Sequence, residues 1–219
     1  MADEADKSPR AGRRFFCYAA IGLAFVVFAL LFLRLTSNFW IQLGISAVLL
    51  CGVALVVEWN PMLAAVRGSG GYGLVSTVLL GLASAGALYV VFLIGNVASR
   101  ALFSFGGMQI DAVYGLGSST PRWLIAVLLI LVVGPAEEFF WRGYVQRRLT
   151  AEFGWPGLAG SILAYGGAHL ITGNFMLIMA ALVCGSFWAV QYRFFHSLRI
   201  NMISHAIWAA AIFVFLPMG

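Results

Sequence analysis

The sequence predicts an all-α polytopic transmembrane bundle of about seven spans with a cytoplasmic amino terminus, on three observations. The composition identifies the solvent. Hydrophobic residues make up 62% of the 219 and charged residues only 10%, with mean hydropathy +0.96, whereas a soluble domain carries about 25% charged residues. Apolar runs of spanning length recur, and no period-two alternation of barrel type interrupts them, so the spans should be helices that satisfy their own backbone in lipid.

The spans fall at 15–33, 39–57, 73–94, 123–146, 157–170, 175–190 and 200–216. The fourth carries an acidic pair and the fifth is short. The Gly- and Ser-rich stretch 101–120 reads as a loop or a partly inserted hairpin. Residues 1–14 form a cytoplasmic tail whose first dozen residues, charged, are expected to be disordered. Helices over 15–122 precede a carboxyl-terminal four-helix core over 123–219. Arg13-Arg14-Phe15-Phe16 is a weak twin-arginine echo without a cleavage site, so the first helix is retained.

Orientation follows from the cations. An inside amino terminus places Lys7, Arg10, Arg13, Arg14, Arg67, Arg142, Arg147, Arg148, Arg193 and Arg199 on the cytoplasmic side, against Arg34, Arg100 and Arg122 outside. The net charge of +5 is then a topology signal, with no basic patch interleaved with aromatics to suggest nucleic acid. The expected environment is the lipid bilayer, and the compact length suggests a bacterial inner membrane. Cys17, Cys51 and Cys184 lie within spans without metal-ligand spacing and read as apolar fillers.

Chemistry concentrates in a few ionisable residues. Glu137-Glu138-Phe139-Phe140-Trp141-Arg142 follows the apolar run 126–133, and a charge at bilayer depth costs about 2.5–3.5 kcal/mol on insertion scales. On a helix Glu138 and Arg142 are an i,i+4 pair, while Glu137 is turned about 100° away. That predicts a division of labour, with Glu138 held ionised by Arg142 and Glu137 facing the bundle interior as a general base. The competing reading is a buried polar lock between helices.

One histidine shares the level of Glu137, and a second lies a little shallower. From Arg148 at the cytoplasmic face Glu137 lies about 16 Å deep, and from Gly157 His169 lies about 18 Å deep. His205, counted from Arg199, lies about 9 Å deep, close enough for tilt to complete one site. Tyr165 and Asn201 each stand four residues before a histidine and are expected to orient it. His196, in an Arg-flanked loop, reads as interfacial. No Gly-x-Ser-x-Gly and no His-Glu-x-x-His occurs, although Glu137, His169 and His205 are a donor set that suits a divalent metal such as zinc.

At these residues the chain resembles the CAAX protease and bacteriocin-processing family (CPBP), which includes the Ras-converting CAAX endopeptidase. Glu137-Glu138-x-x-x-Arg142 matches its first motif fully. Tyr165-x-x-x-His169 resembles its Phe-x-x-x-His motif with tyrosine replacing phenylalanine. His205 resembles the last histidine, but the small polar residue usual four positions later is Ala209, a place for which Asn201 is the available substitute. The resemblance implies an intramembrane endopeptidase acting near the carboxyl end of a membrane-tethered protein or peptide. It implies that Glu137 activates water with His169 assisting, that His205 stabilises the oxyanion, and that Glu138 and Arg142 support the geometry. The family is described both as metalloproteases and as glutamic proteases. A non-catalytic scaffold or bacteriocin-immunity protein is the alternative that Ala209 favours. A proton-coupled transporter would call for repeat symmetry, which the sequence lacks.

Overall fold

The computed structural model describes residues 7–33, 38–68, 70–117 and 120–218. Eight helices and no strand are found among them. They are α1 (Lys7–Phe32), α2 (Phe39–Arg67), α3 (Leu74–Leu102), α4 (Gly106–Tyr114), α5 (Arg122–Phe153), α6 (Trp155–Gly167), α7 (Phe175–Phe195) and α8 (Leu198–Phe215). All but α4 and α6 contain a stretch long and apolar enough to cross a membrane. The first six residues of the predicted tail, and Arg34, lie outside the described residues.

The structure departs from the sequence reading in four places. Helix α1 begins at Lys7, inside the stretch expected to be disordered. Pro9 sits in its first turn, where the missing N–H has no helical acceptor to lose. The stretch 101–120 contains the nine-residue helix α4 and a 3-10 turn at Gly115–Gly117. The fifth predicted span is α6, whose 13 residues rise only about 20 Å, so it does not reach across a core of about 30 Å alone. Arg142 is 2% exposed in the bundle rather than at a cytoplasmic surface, because Glu138 supplies its counter-charge one turn away.

Polar residues and prolines shape the helices locally. Asn38 opens α2 by accepting from the Trp40 and Ile41 amides, and Asn174 opens α7 by accepting from Leu177. Helix α2 breaks at Glu58 (φ −144°, ψ 55°). Pro61 three residues on lacks a donor and crowds the carbonyl of Val57, which accounts for the break. Helix α5 is wound α, π, α, π, α, with π turns at Leu129–Val133 and Phe139–Gln146. Pro135 cannot donate to the preceding turn, and the Gly134 amide reaches back to the Leu129 carbonyl, the five-residue spacing of a π turn.

The core lies around α5 and α8, the most buried spans, while α3 is the least. Every side chain from Phe139 to Gln146 is buried. Helices α5 and α8 cross at backbone contact, since a Cβ on Gly134 would stand 2.8 Å from the Ala206 amide nitrogen and Cα. This crossing sets Glu138 opposite Asn201 and His205. The outer faces of α2 and α3 expose apolar side chains such as Val56, Leu79 and Ile94, as a lipid-facing surface should.

Candidate active site

Glu138 is the centre of a closed polar cluster. Oε1 accepts from Arg142 Nη1 at 2.9 Å and faces His205 Nδ1 at 2.9 Å, while Oε2 accepts from Asn201 Nδ2 at 3.0 Å. Arg142 also donates to the Gly185 carbonyl at 3.3 Å, and its guanidinium lies over the Tyr165 ring, 4.7 Å from the centroid. An ionised carboxylate accepts only, so His205 Nδ1 carries a proton and its Nε2 is the nitrogen left for chemistry. The His205 ring is stacked on Trp188, with centroids 3.9 Å and planes 16° apart.

Glu137 occupies the other side of α5 and has different partners. Tyr165 donates its phenolic proton to Glu137 Oε2 at 3.3 Å, leaving Oε1 available. His169 follows α6, in the turn that ends it, with Nδ1 3.0 Å from the Tyr165 carbonyl. A carbonyl only accepts, so Nδ1 bears the proton and Nε2 of the neutral ring is a free acceptor. Phe28 and Phe32 of α1 pack against the same ring at 5.2 and 5.7 Å.

A cavity of about 330 Å³ connects these groups, and its lining includes Glu137, His169 and His205 but not Glu138, Arg142 or Asn201. The site is thus layered, with three groups on the cavity and three behind them. Most other lining residues are apolar or aromatic and come from both halves of the chain, including Phe39, Trp40 and Phe92.

Asn201 departs from its expected role. It is fully buried and spends both amide protons on Glu138 and on the Trp188 carbonyl, 2.8 Å away, so it offers no oxyanion contact. It makes no hydrogen bond to His205. Both side chains converge on Glu138 from one face of α8. Tyr165 orients His169 with its backbone carbonyl, and its ring also packs against the imidazole with centroids 5.5 Å apart. Ala209 does line the cavity, at the place where the family usually has a polar side chain.

A further group of residues escaped the sequence reading. Trp188 Nε1 donates to Ser204 Oγ at 3.1 Å, which lies 2.9 Å from Ser84 Oγ. Ser84 donates to Gln191 Oε1, and Gln191 Nε2 donates to Asn201 Oδ1 at 3.1 Å. Because the Ser84 proton is committed to Gln191, Ser204 must donate to Ser84, and the chain runs in one direction from Trp188 to Glu138. It fixes which end of the Asn201 amide faces the carboxylate. The one available signal was the presence of Ser84 and Ser204 inside apolar spans, with Gln191 one residue past another.

Among the described residues, no group of three or more His, Cys, Asp or Glu side chains is placed to hold a metal ion. Tyr165 engages one Glu137 oxygen, and each histidine is held through its Nδ1.

Fold and site together define a helical, multi-pass membrane protein with a buried carboxylate–histidine centre. Residues 119–211 match the family model for Rce1-like type II CAAX prenyl endopeptidases, the family that the motifs resemble. The match contains Glu137, Glu138, Arg142, Tyr165, His169, Asn201 and His205, and leaves α1 to α4 outside. No curated protein and no solved structure matches the chain.

Proposed function

We propose that the protein is an intramembrane endopeptidase that hydrolyses a peptide bond near the carboxyl end of a membrane-tethered protein or peptide. The observation that carries this reading is the layering of the site, with Glu137, His169 and His205 on one cavity and Glu138 clamped behind them by three donors. A purely structural lock would have no reason to leave a carboxylate oxygen and two imidazole Nε2 atoms beside an internal space.

Each cavity group has a step. Glu137 Oε1 accepts a proton from a water, and His169 Nε2 accepts that water's other hydrogen to aim its lone pair. The hydroxide adds to the peptide carbonyl carbon, and the oxyanion is stabilised by a proton on His205 Nε2. Glu137 then gives its proton to the departing amide nitrogen, the C–N bond breaks, and an acid and an amine leave. Charge is conserved within the site. Arg142 balances Glu138, and as Glu137 takes up the proton from water the oxyanion replaces its charge. Nothing needs to enter or leave a low-dielectric region to keep that charge constant.

The apolar cavity suits a hydrophobic peptide. Its wall includes Trp40, Trp208 and Phe213 among mostly apolar side chains. The test is to incubate purified wild type and Glu137→Gln with a host membrane-protein extract and read carboxyl termini by mass spectrometry. New termini are expected with the wild type alone. Identical termini from both proteins, with both well folded, would remove the endopeptidase reading.

A further inference from the structure

The two ends of the bundle differ in charge, and the cavity belongs to one of them. Arg14 at the start of α1 pairs with Glu152 at the end of α5. Arg147 and Arg148 pair with Glu58 of α2. Arg199 at the start of α8 donates to the Val66 and Arg67 carbonyls at the end of α2, and Arg193 at the end of α7 lies over Trp155 at the start of α6. These contacts gather six arginines at one end. The described arginines at the opposite end, Arg100 and Arg122, close α3 and open α5.

Helix direction places the cavity. Its wall takes Phe32 from the last turn of α1, Trp40 from the first of α2, Ser99 from the last of α3, Met176 from the first of α7 and Phe213 from the end of α8. Tyr114 of α4 joins them, and every one of these positions is at the arginine-poor end. At the same end Asn96 donates to the Met218 carbonyl at 2.9 Å, and the Tyr114 hydroxyl accepts from the Met218 amide at 3.2 Å. The mouth of the cavity already pairs with non-helical main chain. The arginine-rich end is instead filled by ion pairs and the buried turns of α5.

Arginine-rich ends stay on the cytoplasmic side. From these positions, and resting on the endopeptidase reading for the nature of the occupant, we infer that the site is loaded from the opposite, extracytoplasmic face. The substrate is then an apolar peptide segment displayed on that face or in the outer half of the bilayer. The short counting distance from Arg199 to His205 suggests a cytoplasmic route, but that route is closed. The His205 ring is stacked on Trp188 and its Nδ1 is held by Glu138, while one turn nearer the arginine-rich end Asn201 is bonded to both Glu138 and Gln191.

Three single-cysteine proteins in a background lacking Cys17, Cys51 and Cys184 test this without any cleavage assay. Ser99→Cys reports the cavity end, and Ala151→Cys, exposed at the end of α5, reports the arginine-rich end. A membrane-impermeant thiol reagent applied to intact bacterial cells should label Ser99→Cys and spare Ala151→Cys, with the reverse in inverted vesicles. Leu102→Cys, outside the cavity at the same end and 76% exposed, should follow Ser99→Cys and reports that face if Ser99→Cys is unreactive. Labelling of Ala151→Cys in intact cells, or of Ser99→Cys or Leu102→Cys in inverted vesicles alone, overturns the inference. Because labelling needs no turnover, it stands or falls apart from the endopeptidase reading, which the carboxyl-terminal mass spectrometry decides.

Discussion

Replacing Arg142 with alanine is the most severe single perturbation that the site geometry predicts. The side chain is 2% exposed and neutralises Glu138, itself 0% exposed, through a 2.9 Å bond. Removing one partner of a buried ion pair leaves an uncompensated charge and costs about 3–5 kcal/mol. The Gly185 carbonyl also loses its donor, worth about 1 kcal/mol more, and these terms share one network and do not add simply. A loss of about 4 kcal/mol is expected. At about 2–4 °C per kcal/mol for a chain of this size, thermal unfolding in detergent should fall by about 8–16 °C. The double variant Glu138→Gln/Arg142→Met, which removes both charges, should regain at least half of that loss, because apolar replacement of a buried pair is close to neutral. An Arg142→Ala midpoint within about 2 °C of wild type, less than 1 kcal/mol by the same conversion, would refute the reasoning. It would mean that Glu138 is not held as a buried carboxylate.

Three further outcomes follow from the packing around the site. Gln191→Leu cuts the chain that fixes the Asn201 amide, and should lower kcat about tenfold, the equivalent of one hydrogen bond to a charged group, while KM stays within twofold in a peptide assay. Gly134→Ala forces α5 away from Ala206 and should cost about 1–3 kcal/mol as overpacking, read by thermal unfolding, with cleavage falling further than stability because Glu138 and His205 separate. Impermeant-reagent labelling should place Ser99 on the extracytoplasmic face and Ala151 on the cytoplasmic one.

The residues that were legible in the sequence are those whose chemistry is costly in lipid. Glu137, Glu138, Arg142, His169 and His205 stand out because apolar runs surround them, and the structure brings all five to one region. Helical spacing also put Tyr165 and Asn201 on the correct faces. Spacing does not say which atom of a neighbour is used, so Tyr165 serves His169 through its carbonyl and Glu137 through its hydroxyl. The convergence of Asn201 and His205 on Glu138 needs the third helix, and no period within α8 reveals it. Ser84, Gln191 and Ser204 were illegible for a different reason. Small polar side chains are common in membrane helices as interhelical donors, and only tertiary contact shows that these form a directed chain. The winding of α5 was hinted at by Pro135 alone, and the length of α2 was hidden by Glu58 and Pro61, which end the apolar run without ending the helix.

The central claim is that Glu137 does chemistry while Glu138 holds the site together. One purified preparation of Glu137→Gln, measured for both cleavage rate and unfolding temperature beside wild type, tests it most directly. The amide keeps the size of the side chain and can still accept from Tyr165, but it cannot take a proton from water. Cleavage should be abolished with the unfolding temperature unchanged. Retained cleavage, or a loss of folding as large as that of Arg142→Ala, would contradict the division of labour and leave the acidic pair as a structural lock.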